Sequence, residues 1–308
     1  MNHITRRTVL KNGAATAASL ALITALPKHL QAKSLAKSPG IQLYTVGKEL
    51  TEDMPGTLAK IAAMGYRTVE SAGMGGKSAA EFRKALDAAG LKCPSSHLFP
   101  TPGQSTAQCM DDAKTLDSEY VVGSVQIKTE GLKSVEDYIR VLSALTEDDY
   151  KRMVGTLNDL ATQAKSAGLK FAYHNHNMEF HKWSDGKTTY DILMSGTDPS
   201  LVKIELDCGW ADLGGCPPLE VFKKYPGRVK MLHIKDFVAL GHPLTELDSK
   251  QMPEPTELGK GHIDYKPILA AAPAAGVEQI FVEQEPPFVH FTVWEAAKAD
   301  IDYLHSIA

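Results

Sequence analysis

Three observations in the sequence predict a closed (β/α)8 barrel. Eight apolar, strand-like runs alternate with helical patterns through about 270 residues, which is the count and size of such a barrel. No linker rich in Pro, Gly or Ser divides that stretch, so one domain over residues 38–308 is expected. The first strand reads Ile41-Gln42-Leu43-Tyr44-Thr45-Val46-Gly47 and lacks the glycine fingerprint that follows the first strand of a dinucleotide-binding open sheet. That disfavours the doubly wound alternative, and with it NAD or FAD.

The elements follow in order. Ile41–Val46 reads as the first strand, with helical spacing from Leu58 to Met64 closed by Gly65. Arg67–Ser71 is the second strand, followed by a helix over Ala79–Ala89 that Gly90 ends. Cys93–Leu98 and Tyr120–Gln126 read as the third and fourth strands. A long helical region runs from Val135 through Ala167 with a break near Thr146-Glu147-Asp148, where Thr146 and Asp149 resemble a capping box. The stretch Phe171 to Phe180 is the fifth strand, Val202–Asp207 the sixth and Val229–Lys235 the seventh. Helices are predicted over Thr189–Ser195 and Leu219–Tyr225. From Phe237 to Lys260 the periodicity is lost, as in a long loop of the kind that covers active sites. Tyr265–Ala275 is helical, although Pro273 should kink or shorten it. Gln279–Gln284 is the eighth strand, and Thr292–Ser306 closes the chain as an amphipathic helix.

Composition sets the class. The chain has 308 residues, 43% of them hydrophobic, and a net charge of −4 without basic runs, so a large core is expected and nucleic-acid binding is not. Residues 1–32 read as an export signal: Thr5-Arg6-Arg7-Thr8-Val9-Leu10-Lys11 resembles the twin-arginine motif, and an alanine-rich apolar run from Ala14 to Leu26 follows it. The run is short for a membrane span. Cleavage after Leu30-Gln31-Ala32 would release the chain into the periplasm, and an uncleaved signal would anchor it. The export machinery is thus an expected partner, and self-association into a homo-oligomer is left open. Cys93, Cys109, Cys208 and Cys216 show no C-x-x-C spacing, and buried thiols are favoured over a Cys208–Cys216 disulfide.

Ionisable residues gather at strand ends, where barrels of this type carry their chemistry. In FAYHNHNMEF, alternation puts His174 and His176 on one face. Glu205 and Asp207 end the sixth strand, His233 and Lys235 the seventh, Glu283 and Glu285 the eighth. Buried ionised groups need compensation, and a divalent cation would provide it for Asp207, His233 and Glu283. Carboxylates with one imidazole suit Mn²⁺, Zn²⁺, Co²⁺ or Mg²⁺. His97 ends the third strand on the face of Ser95, Gln42 and Tyr44 lie in the first, and Glu70 ends the second. These residues form a candidate ligand-binding rim. Trp210 is placed either to stack on a bound ring or to pack.

Tyr173-His174-Asn175-His176-Asn177-Met178-Glu179-Phe180, Glu205-Leu206-Asp207-Cys208-Gly209-Trp210, His233-Ile234-Lys235-Asp236, Leu258-Gly259-Lys260-Gly261-His262-Ile263-Asp264-Tyr265 and Val282-Glu283-Gln284 resemble, in order, the motifs of the sugar phosphate isomerase/epimerase superfamily, the xylose-isomerase-like TIM barrels. The resemblance spans residues 40–308. It implies one divalent metal held by an acid at strand five, Asp207, His233 and Glu283. The first position departs from the pattern, because His174 stands where many relatives carry glutamate. Either His174 is that ligand or Glu179 folds back from the following loop, and Glu179 is favoured. The glycines between Glu257 and His262 are expected to let backbone approach the ligand.

The implied chemistry is proton abstraction next to a carbonyl, with the metal neutralising the developing enediolate. Glu283, Glu179 and His176 are the candidate bases, and Lys235 and His176 should bind hydroxyls or move protons. His174 joins His97, Gln42, Tyr44, Glu70 and Trp210 as a candidate substrate contact. Return of the proton gives isomerisation or epimerisation, whereas its loss with a leaving group gives elimination. The export signal and the lack of a P-loop-like glycine cradle favour a non-phosphorylated sugar or keto-glycoside. Two alternatives carry less weight: a carbohydrate-binding protein that has lost turnover, and a metal-free glycosidase using Glu283 and Glu285, which lie too close along one strand to flank a bond.

Overall fold

The computed structural model describes residues 32, 35–98, 104–127, 132, 134–246 and 251–308. Nearly all of the expected export segment, and residues 247–250 of the expected loop, lie outside these.

Eight parallel strands close into a barrel: β1 (Gly40–Gln42), β2 (Thr68–Ser71), β3 (Lys92–His97), β4 (Tyr120–Gly123), β5 (Lys170–His174), β6 (Val202–Asp207), β7 (Val229–Ile234) and β8 (Gln279–Val282). Each pairs with its neighbours in sequence order, and β8 returns to β1 through Gly40 opposite Phe281 and Ile41 opposite Val282. The outward residues of the strands, such as Ile41, Val69, Phe171, Leu206 and Ile280, pack with the helices in the main core. Inward-facing Tyr120, Val122, Ala172, Met231 and Phe281 form a separate apolar cluster that plugs the barrel. Above that plug, at the C-terminal ends of the strands, a cluster of buried polar groups gathers.

Several strands are shorter than the sequence suggests. β1 stops at Gln42 because Gln42 Oε1 accepts the Tyr44 N–H at 3.2 Å and starts a 3-10 turn over Leu43–Val46. β5 stops at His174, and Met178–Phe180 is a 3-10 turn instead of a continuation of the strand. Lys235 and Glu283 each stand one residue past their strands. The break near Thr146 is a true helix start, with the reciprocal Thr146–Asp149 capping box in place. A helix over Thr106–Thr115, absent from the sequence reading, follows β3. The Tyr265–Ala275 helix runs through Pro273, which sits in its last turn and does not shorten it. All four cysteines are free, so Cys208 and Cys216 are not bonded.

The region after β7 is partly ordered by a ribbon in which Asp236–Phe237 pairs antiparallel with Pro255–Thr256. Its far end is tied to the last helix, Val293–Ser306, where the Leu258 N–H donates to buried Asp300 Oδ1 at 2.7 Å. Burial pushes the Asp300 carboxyl up to about 8, and Glu257 and Asp236 add to the rise against the lowering effect of that N–H. A carboxyl raised in the fold binds more protons there than in the unfolded chain, so it withdraws stability as pH climbs from its ordinary value towards 8. Asp300→Asn keeps the acceptor and removes the titration. In urea unfolding, the variant's advantage over the wild type should grow between pH 5 and pH 8, roughly the window in which a raised carboxyl costs stability; a pH-independent difference would contradict this.

Candidate active site

Above the apolar plug lies a layer made of two carboxylates and three imidazoles. Glu70 Oε2 accepts from Gln42 Nε2 at 2.8 Å and stands 2.6 Å from His233 Nε2, while Glu70 Oε1 takes the Ser95 hydroxyl at 2.5 Å. Glu205 Oε2 lies 2.9 Å from His97 Nε2, 3.1 Å from His174 Nδ1 and 3.3 Å from His233 Nε2. Glu205 Oε1 is buried without a hydrogen-bond partner. Burial alone would neutralise these groups, but Glu70 and two of the imidazoles hold one another charged, whereas burial and the neighbouring Glu70 push Glu205 up to about 7 against the pull of His233 and His97. Against the cost of burial, Glu70 and Glu205 raise His97 to about 10, and Glu205, Glu283 and Glu70 raise His233 well above the imidazole range. His174 is driven the other way, first by burial and then by His233 and His176, so it is neutral.

The next layer, nearer the mouth, holds Asp207, Lys235 and Glu283. Lys235 Nζ lies 2.8 Å from Glu283 Oε2, 3.0 Å from Asp207 Oδ2 and 2.5 Å from Glu285 Oε1. The approach to Asp207 Oδ2 is an ion pair without hydrogen-bond alignment, so that oxygen keeps its lone pairs uncommitted. Asp207 Oδ1 caps the short helix Cys208–Leu213 by accepting the Trp210 N–H at 2.8 Å. His233 Nδ1 points into this layer, 2.9 Å from Glu283 Oε2 and 3.8 Å from Asp207 Oδ2. Burial opposes ionisation of Glu283, but Lys235 and His233 overcome it and hold the carboxyl well below its usual range. One donor atom each from Asp207, His233 and Glu283 lies within 4.8 Å of the others, and so does one each from His97, His174, Glu205 and His233.

Local sequence sets this geometry. Gly209 has no side chain because the Lys235 stem passes over it: a Cβ there would sit 2.3 Å from Lys235 Cγ. Tyr265 fixes the Lys235 backbone from behind, its hydroxyl accepting from Lys235 N at 3.1 Å and donating to Lys235 O at 2.5 Å. Asn175 clamps Asp207, accepting its N–H at 3.1 Å and donating to its carbonyl at 3.2 Å. Asn177 Nδ2 donates to the carbonyls of Leu244 and Glu246 at 3.1 and 3.0 Å, which ties the loop after β7 to the end of β5.

The remaining predicted residues fall as follows. Gln42, Tyr44, His97, His174, His176 and Glu283 all line one cavity of about 260 Å³ over the mouth. His176 is held neutral there, lowered to about 4 by burial and by Lys235. Glu70 lies beneath it, fully buried. Glu179 is not brought into either donor set: its carboxylate accepts from the Tyr173 hydroxyl at 2.8 Å and the His176 N–H at 3.0 Å. Burial raises it to about 7, with Asp207 adding to the rise against those hydrogen bonds. Trp210 does not line the cavity. It packs with Leu213, Phe237 and Leu244, its indole N–H donates to Glu285 at 3.1 Å, and Lys235 Nζ lies 4.9 Å from its ring centre, so packing is its role. The glycine-rich loop departs from expectation, since Gly261 makes room for Asp236, whose carboxylate accepts the N–H groups of Gly259, His262 and Ile263. The close approach seen in this loop is to an internal acid. Glu205 and Ser95 were visible in phase with Asp207 and His97, but sequence gave them no role.

Residues 58–306 match the family described as xylose isomerase-like TIM barrel. The chain is 32% identical over 152 residues to an inosose dehydratase of Clostridium tetani, covering 46% of this chain and 49% of that protein. It is 27% identical over 262 residues to an inosose dehydratase of Geobacillus thermodenitrificans, covering 78% and 85%. The match thus spans about half the length of the first relative and most of the second. A solved sugar phosphate isomerase/epimerase from Parabacteroides distasonis superposes with a TM-score of 0.69 at 26% identity, over 88% of this chain and 94% of that one.

The Asn175 clamp generates a direct expectation. Asn175→Ala leaves the buried N–H and carbonyl of Asp207 without these partners and should cost about 1–3 kcal/mol in urea unfolding. An unchanged midpoint would show that the clamp contributes nothing.

Proposed function

The chain belongs to the xylose isomerase-like TIM barrel family, and from that premise we propose that it is a divalent-metal-dependent enzyme that removes a proton next to the carbonyl of a non-phosphorylated keto-sugar. The observation that carries this reading is the convergence of Asp207, His233 and Glu283 on one buried point beneath a cavity, with Asp207 Oδ2 lacking an aligned donor. Two carboxylates and one imidazole with an uncommitted oxygen fit a hard or borderline divalent cation such as Mn²⁺, Zn²⁺, Co²⁺ or Mg²⁺. Glu179 is the fourth ligand in this proposal. It is a buried carboxylate with no cationic partner of its own, whereas His174 is already engaged by Glu205.

When bound, the cation supplies positive charge to the oxygen of the developing enediolate. The chain's own groups do the rest. His176, neutral and lining the cavity, accepts the proton from carbon; Glu283 and Glu179 are the carboxylates that could share that task. Lys235, held protonated by Asp207, Glu283 and Glu285 against burial, donates hydrogen bonds to substrate oxygen. The rim of His97, His174, Gln42 and Tyr44 takes hydroxyls. If the proton returns to the other face or a neighbouring carbon, the outcome is epimerisation or isomerisation. If the electron pair instead expels an oxygen substituent on the next carbon, the outcome is elimination. We favour elimination, supported by the relatives named inosose dehydratases, which bear the name of a dehydration of a cyclic keto-polyol. The superposed isomerase/epimerase supports the other outcome of the same first step. Export by the twin-arginine route to the periplasm, read from Thr5 to Lys11, belongs to the proposal and favours a substrate without phosphate.

Two measurements test it. In D2O, protein loaded with Mn²⁺ should exchange the carbon-bound proton of an inosose or 3-keto-glycoside. Asp207→Ala and His233→Ala should lose the metal, measured by mass spectrometry, and the exchange, while circular dichroism stays that of a barrel. Normal exchange by a metal-free variant would sink the mechanism. Comparing His174→Ala with Glu179→Ala identifies the fourth ligand, since only the ligand's loss should weaken metal affinity by about 10-fold or more.

A further inference from the structure

A second cavity, of about 280 Å³, lies beside the first and is not used by the reaction described above. Trp183, Tyr150 and His181 form its aromatic side, Met178 and Leu142 its apolar floor, and Ser143, Thr189, Thr245 and Glu246 its polar edge. Its aromatic corner is rigid. Trp183 is presented by a turn in which Trp183 N donates to Lys187 O and Gly186 N to Trp183 O, both at 2.9 Å. The indole N–H is anchored on Thr189 Oγ1 at 2.9 Å, and the ring stands 4.9 Å from His181 and 6.3 Å from Tyr150, centre to centre. Trp183 is partly exposed, unlike the buried Trp210.

Two segments of the chain each contribute residues to both cavities. The helix Val135–Ser143 gives Tyr138 to the first and Leu142 to the second, four residues apart and so about 6 Å along one helix face. The chain after β5 gives His176 to the first and Met178 to the second. Asn177 between them fixes Leu244 and Glu246, so the second cavity's outer edge is held in place relative to the catalytic groups. An anchored aromatic face edged by hydroxyls and one carboxylate matches a polyhydroxylated ring, whose C–H face packs on the aromatic while its hydroxyls meet the edge.

We infer that this cavity is an accessory subsite for the second sugar ring of a glycoside whose keto ring occupies the site at Asp207, His233 and Glu283. The assignment rests on the proposed function for where the first ring sits, and it narrows the substrate class to two-ring glycosides. Calorimetric titration of the wild type and Trp183→Ala with cellobiose and methyl β-glucoside tests it, because neither sugar carries the carbonyl needed for turnover and binding is read apart from catalysis. Cellobiose should bind the wild type about tenfold tighter than the methyl glucoside. Trp183→Ala should remove that advantage and leave methyl glucoside binding unchanged, and Trp183→Phe, which keeps an aromatic face, should retain most of it. Equal affinities for the two sugars in the wild type, no binding of cellobiose, or an equal loss for both sugars in Trp183→Ala would overturn the subsite. Failure of proton exchange on a one-ring keto-sugar would instead count against the proposed function.

Discussion

The site depends on one constraint, that four acids buried at the end of a barrel must find positive charge without water. Glu70, Glu205, Asp207 and Glu283 are almost wholly removed from solvent. Ionised groups in such a place are costly unless paired. His233 is the shared solution. Its Nε2 serves Glu70 and Glu205 in the lower layer, and its Nδ1 faces Glu283 and Asp207 in the upper one. A histidine held by a carboxylate on one nitrogen has its tautomer and ring plane set for whatever the other nitrogen meets, the arrangement found behind many metal-bound histidines. Gln42 and Ser95 continue that chain of support by fixing Glu70. The lower layer thus supports the upper through His233, while Gln42 on β1 and His97 on β3 also line the cavity itself.

The chain leaving β5 organises the opposite side by a division of labour along successive residues. His174 closes the lower layer on Glu205, Asn175 clamps Asp207, His176 faces the cavity, and Asn177 holds the loop that follows β7. Met178 turns to the neighbouring cavity, and Glu179 folds back on Tyr173 and His176. A single departure from strand geometry at His174 makes this possible, because continued alternation would have sent every second residue into the packed layer of helices.

Much of this was legible in the sequence. The eight-strand rhythm gives the barrel, and the phase of Asp207, His233 and Glu283 at strand ends gives the upper layer, since period-two alternation is a local property. What depends on distant residues was not legible. Glu205 shares a face with Asp207, but its function is set by His97, 108 residues away in sequence. Trp210 carries the same indole whether it packs or stacks, and only the arrival of Phe237, Leu244 and Lys235 decides. The Thr106–Thr115 helix buries only Met110 and Ala113, too little for an apolar period, although the Ser105–Gln108 capping box marked its start. The turn at Met178–Phe180 hides which way Glu179 points, because a 3-10 turn has neither of the periods that sequence patterns reveal.

The central claim is that His233 joins a supporting layer to a metal-binding one. A crystal structure of the full chain grown with Mn²⁺ tests it most directly. The account predicts the ion on Asp207, Glu283, His233 Nδ1 and Glu179, with Glu70 still hydrogen-bonded to His233 Nε2. An ion seated instead among His97, His174 and Glu205, or a chain that takes up no ion at either place, would contradict it.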